Sequence, residues 1–92
     1  MSKMNVKLQV TFLKEKSSYV AYSPALDFSS CGKTMKLAEK NFAEAVDLFF
    51  EELQKNGTLD EVLLGLGWNK VKHEWHSPVP VAQRMTELCV AA

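Results

Sequence analysis

The chain carries no net charge, because eleven lysines and arginines are offset by eleven aspartates and glutamates among 92 residues. It therefore has no global field to draw in a polyanion, and general nucleic-acid binding loses its usual driving force. Cysteine is scarce. Cys31 and Cys89 lie far apart and fit no CxxC or paired-ligand spacing, so both are read as free thiols in a reducing compartment. Long apolar runs are missing too. The start, MSKMNVKLQV, alternates charge and hydrophobe where a signal peptide would have an unbroken apolar core, and no later run is long enough to span a bilayer. A cytoplasmic protein without membrane association is expected. There is no internal repeat, low-complexity tract or obvious linker, and the length suits one domain over residues 1–92.

What is present favours a folded chain. A hydrophobic fraction of 47% with 24% charged residues supplies enough apolar surface to offset the entropy of ordering. From Met4 to Leu13 the apolar residues Met4, Val6, Leu8, Val10 and Phe12 occupy every second position, the period of a strand with one buried face. Lys14 to Ser18 suits a hairpin turn, and Tyr19 to Tyr22 supplies a second β-prone run before Pro24 removes a backbone donor. Phe28 to Cys31 reads as a short third strand ended by Gly32, a residue tolerant of unusual backbone conformations.

Thr34 stands where a helix N-cap belongs. After it, Ala38, Phe42, Ala45, Val46, Phe49 and Leu53 recur at three- and four-residue intervals, giving a helix of about twenty residues one apolar stripe to lay on the sheet. Lys36, Glu39, Lys40, Glu44, Asp47, Glu51 and Glu52 form its solvated face. Asn56-Gly57 ends the helix, and Thr58-Leu-Asp-Glu61 has the spacing of a capping box for a short helix through Leu64, broken by Gly65 and Gly67. Trp68 to Trp75 alternates partly and reads as a strand or extended segment. Pro78 and Pro80 enforce an extended path, followed by one helical turn over Val81 to Glu87 and a terminal strand over Leu88 to Ala91. The fold class read from this order is α+β: an antiparallel three- to four-stranded sheet packed on one long helix plus a short helix, in the order β-β-β-α-(α)-β.

Catalytic chemistry finds little support, and the chain is read as a non-enzyme with no cofactor and no metal. His73 and His76 are three apart, which on a strand sends the rings to opposite sides, and no third ligand is indicated. Asp27 follows a strand end, but Asp47 and Asp60 lie on helix positions, so no magnesium-binding carboxylate cluster forms and an Asx-type turn is the expected role. Ser29, Ser30 and Cys31 have no histidine partner. Trp68, Trp75, Phe49 and Phe50 are mostly core material, yet adjacent phenylalanines widen the apolar stripe, which places one of them at a subunit interface.

The segment YVAYSPALDFSSCGKTMKLAEKNFAEAVDLFFEEL, residues 19–53, resembles the HicB family of antitoxins, whose N-terminal module runs from a Tyr-x-Ala strand through a proline-leucine loop and a Gly-x-Thr turn into a Glu-Ala-rich helix. Tyr19, Ala21, Pro24, Leu26, Gly32, Thr34, Ala38, Ala45 and Leu53 are the matching positions. The resemblance implies a partial ribonuclease-H-like or double-stranded-RNA-binding-like sheet of three or four strands backed by helices, and a role in binding and neutralising HicA, a small basic ribonuclease that cuts messenger RNA. Many family members have leucine-proline-glycine where this chain has Leu26-Asp27-Phe28, a variant associated with solitary members. The residues after Gly67 are too proline-interrupted for a helix-turn-helix, so operator-DNA binding is not expected.

Two classes of function follow. In the first, an interaction module masks a basic toxin through an apolar patch and acidic helix residues, with Glu44, Glu51, Glu52 and Phe50 as the partner-binding candidates. The alternative is a solitary HicB-like protein or a weak RNA-binding module using Lys3, Lys7, Lys14 and Lys16. A homo-oligomer, dimer or higher, is expected in either case, because a small sheet with an open edge gains by pairing with a copy of itself.

Overall fold

The computed structural model describes residues 4–91. Three strands, β1 (Thr11–Glu15), β2 (Ser18–Ser23) and β3 (Phe28–Gly32), form an antiparallel sheet in sequence order. The long helix α1 (Met35–Asn56) and short helix α2 (Leu59–Gly65) follow, and β4 (Asn69–Val71) and β5 (Glu74–His76) close a separate two-stranded hairpin. The architecture is α+β in the order β-β-β-α-α-β-β. The extended run near Trp68–Trp75 is thus two strands, and it does not extend the first sheet.

The first strand starts seven residues later than its alternation implies. Thr11 pairs with Tyr22, so continuing the ladder backwards would set Gln9 opposite Pro24. Proline has no N–H to donate, and the chain turns away there. Residues 5–10 keep the alternation without a ladder: Val6, Leu8 and Val10 are half-buried against the core, whereas Asn5, Lys7 and Gln9 are exposed, and Met4, read as the first residue of the apolar face, is exposed as well. The β1–β2 turn narrows to Lys16-Ser17, with Lys16 at φ 35°.

The register fixes the two faces of the sheet. Phe12, Ala21 and Ser30 are cross-strand partners, and Phe12, Tyr19, Ala21 and Phe28 pack with Ala38 and Phe42 of α1. By the two-residue period, Leu13, Val20 and Cys31 form a matching row on the opposite face. A second cluster joins Ala25, Leu26, Phe50, Leu63, Trp68 and Trp75. Phe28 links the two clusters, its ring 5.3 Å from that of Phe42 and 5.6 Å from that of Phe49. Ser23 is fully buried, and its hydroxyl has no hydrogen-bond partner among the described residues.

Helix α1 begins as its sequence indicates. The Thr34 hydroxyl accepts a hydrogen bond from the Leu37 N–H at 3.1 Å, and Gly57 ends the helix in the left-handed region at φ 69°. Gly32 has a different role from the one read in the sequence. Its φ is not positive; instead, a Cβ at this position would stand 2.6 Å from the Ala38 nitrogen and 2.7 Å from the Leu37 carbonyl carbon. Glycine lets the first turn of α1 approach the sheet. The capping box at Thr58 does not form, since no side-chain cap bond is made there, although Asp60 and Glu61 still place negative charge in the first turn of α2. Neither the helical turn nor the terminal strand expected after Pro80 is present: residues 82–91 have no secondary structure and are exposed.

Candidate partner-binding surface

Helix α1 positions the candidate residues. Burial of Ala38, Phe42, Phe50 and Leu53 turns the remaining arc of the helix to solvent. Glu44, Glu51 and Glu52 are all exposed on that arc, and none makes a salt bridge with a described residue. Between them lies Leu48, four residues after Glu44 and three and four before Glu51 and Glu52, with 66% of its surface accessible. Leu48, Glu51, Glu52, Lys55 and Asn56 together line a shallow depression. An apolar centre with Glu44, Glu51 and Glu52 around it, and Lys55 with Asn56 toward the C-terminal end of the helix, is a surface on which acidic groups outnumber the one basic group.

Phe50 does not belong to this surface. Its exposure is 8%, and its ring meets Trp68 at 6.0 Å and Phe49 at 5.7 Å, so it holds α1 to the second cluster instead of facing a partner. Phe49 is half-buried beside Phe28. Leu48 is the apolar residue that the sequence reading missed. Its signal was available, because it lies off the stripe defined by Phe42, Val46, Phe49 and Leu53 and so has no place in the core.

The other candidates are dispersed. The Asp27 carboxylate accepts a hydrogen bond from the Tyr22 hydroxyl at 3.2 Å, and its own N–H donates to the Ser23 carbonyl, so the expected side-chain bond to a backbone amide is replaced by one to a phenol. Asp27 adopts φ 54°, a left-handed conformation that aspartate tolerates better than most residues. Desolvation of Tyr22, its hydrogen bond to Asp27 and the carboxylate charge together raise the phenol pKa above its ordinary 10.0. Asp60 lies 3.9 Å from the Lys70 ammonium, Asp47 is exposed, and the three acids share no site.

His73 falls in the β4–β5 turn beside Lys72, both at positive φ, while His76 lies 3.9 Å from the Glu74 carboxylate. Among the described residues, no three histidines, cysteines or acids gather closely enough to hold a metal. The lysines read along the first strand fall on different elements. Lys7 precedes β1, Lys14 lies over the Tyr19 ring at 5.5 Å, Lys16 occupies the turn, and Lys3 falls outside the described residues. Cys31 and Cys89 are free and exposed. No described helix is long and apolar enough to cross a membrane.

No family model matches the chain, and no curated protein or solved structure matches it.

Proposed function

We propose that the protein is a non-catalytic interaction module of the HicB antitoxin type, which binds and neutralises a small basic ribonuclease in the cytoplasm. The observation that carries this reading is the α1 surface, where exposed Leu48 is flanked by Glu44, Glu51 and Glu52 without intramolecular ion pairs among the described residues. The resemblance of residues 19–53 to the family module supports it, as does the order of three antiparallel strands followed by a long helix. Unpaired carboxylates attract a cationic partner over a distance and fix its orientation, while Leu48 supplies the area removed from water.

The test is binding of a HicA-type ribonuclease to the wild-type chain and to the triple variant E44K/E51K/E52K, measured by calorimetry across a salt series. Reversing three rim charges should weaken association about tenfold or more and flatten its salt dependence. The wild-type chain should also suppress cleavage of a messenger RNA by that enzyme. Unchanged affinity and salt slope in the triple variant would remove the acidic face from the mechanism.

A further inference from the structure

We infer that the exposed face of α1 pairs antiparallel with the same face of a second copy of this chain, so that the basic half of each helix lies against the acidic half of the other. The face is divided by charge along its length. Lys36 and Lys40 lie in the N-terminal half, whereas Glu44, Asp47, Glu51 and Glu52 lie in the C-terminal half; all are exposed, and none makes a salt bridge with a described residue. Each half also carries one exposed leucine in a shallow depression lined by α1 and its cap residue alone: Leu37, 43% accessible, beside Lys36 and Lys40, and Leu48 beside Glu51 and Glu52. Glu39 is the one acid in the first depression and Lys55 the one base in the second.

This order of charge is the reverse of the one an isolated helix prefers. The N-terminal end of a helix is the positive end of its dipole and favours acids, yet the first turn of α1 has no acid and carries Lys36. Lys36 with Lys40, and Asp47 with Glu51, are like charges four residues apart, which are neighbours on the helix surface and repel. Lys55, in the last turn, does follow the dipole. A second α1 running the opposite way offsets these costs, because its dipole is opposed and its acids stand where the lysines of the first helix need them.

The spacing sets the register. Leu37 and Leu48 are eleven residues apart, three turns plus about 20°, so both lie on one line of the helix about 16 Å apart. An antiparallel pair with its two-fold axis between residues 42 and 43 places Leu37 of each copy beside Leu48 of the other. The same register brings Lys40 next to Glu44 of the second copy and Lys36 between Asp47 and Glu51 of the second copy. At about 100° per residue these five charges lie on one flank of the leucine line, and a two-fold axis perpendicular to the helices makes each flank meet its own equivalent. Parallel pairing would instead set lysine against lysine and acid against acid, so charge selects the antiparallel dimer. The pairing covers Glu44, Leu48 and Glu51, so self-association and ribonuclease binding would exclude each other; that consequence alone rests on the function proposed above.

The test is a charge swap. The full chain would be sized by light scattering at about 100 µM, far above a micromolar Kd, as wild type and as the variants K36E/K40E and E44K/E51K, which alter exposed residues only. The wild type should have twice the mass of 10.4 kDa. Each variant sets like charges across the pair and should weaken the dimer about tenfold or more, whereas an equimolar mixture of the two should recover it as a heterodimer. A zero-length carbodiimide should also link Lys36 to Glu51 in the wild type; within one helix, or in a parallel pair, these residues stand about 22 Å apart, so the link reports the antiparallel register. A wild-type monomer, a dimer that tolerates K36E/K40E, a mixture of variants that stays monomeric, or a crosslinked dimer in which Lys36 joins neither Asp47 nor Glu51 would each overturn the pairing. No ribonuclease enters these measurements, and K36E/K40E keeps every acid of the face, so this inference and the proposed function fail separately.

Discussion

Replacing Gly32 with alanine should be among the most damaging single-methyl additions this protein can receive. The new Cβ would lie 2.6 Å from the Ala38 nitrogen, 2.7 Å from the Leu37 carbonyl carbon and 2.8 Å from the Leu37 Cβ. Ordinary contact needs roughly 3.4 Å or more, so about 0.8 Å must be found at the shortest contact. The obstructing atoms are mostly backbone in the first turn of α1, held by the Thr34 cap and the Ala38–Thr34 hydrogen bond, and cannot swing aside as a side-chain tip would. Relief requires lifting the N-terminal end of the helix from the sheet. That loosens Ala38 and Phe42 against Ala21, and a gap of this size forfeits a quarter to a half of the contact energy there. Overpacking of this kind costs about 1–3 kcal/mol, and the backbone obstruction places G32A near the upper value. For a domain of this size, about 3 kcal/mol lowers the melting temperature by roughly 12–20 °C. Gly65 is the internal control. It ends α2 without a positive φ, and an added methyl there would meet nothing within 4 Å, so G65A should stabilise the fold by about 0.5–1 kcal/mol through helix propensity. Thermal and urea unfolding of both variants, followed by far-ultraviolet circular dichroism, would measure the two changes. A G32A protein within about 0.5 kcal/mol of wild type would refute the close-approach argument.

Two further outcomes follow from buried and half-buried polar contacts. The Trp68 indole N–H donates to the Ala25 carbonyl at 2.8 Å from a buried position, tying the loop before β3 to the start of the β4–β5 hairpin; W68F leaves that carbonyl without its partner and opens space beside Phe50, so urea unfolding should show a loss of about 2–4 kcal/mol. Tyr22 has its pKa raised in the folded state, which means its contribution to stability is complete below pH 10.0 and is lost as pH rises through the folded value. Absorbance titration should therefore show one tyrosine ionising late, and D27N, which removes the neighbouring charge but keeps a residue tolerant of φ 54°, should return it toward 10.0; an unchanged curve would exclude Asp27 as a cause.

The parts of this fold that were legible in the sequence are those set by local period. Helix α1 shows its apolar spacing, its Thr34 cap and its Gly57 stop in the chain itself, and the structure buries Ala38, Phe42 and Leu53 as that spacing requires. The exposure of Glu44, Glu51 and Glu52 followed from the same wheel. What was not legible depends on distant partners. The late start of β1 is imposed by Pro24 across the ladder, and Phe50 is buried because Trp68 arrives beside it from beyond α2. The β4–β5 hairpin is hidden in the sequence because its turn uses Lys72 and His73 at φ 50° and 68° in place of the asparagine and glycine that usually signal such a turn. Gly32 reads as a necessary glycine for the wrong reason, since close approach between backbones leaves no trace in sequence.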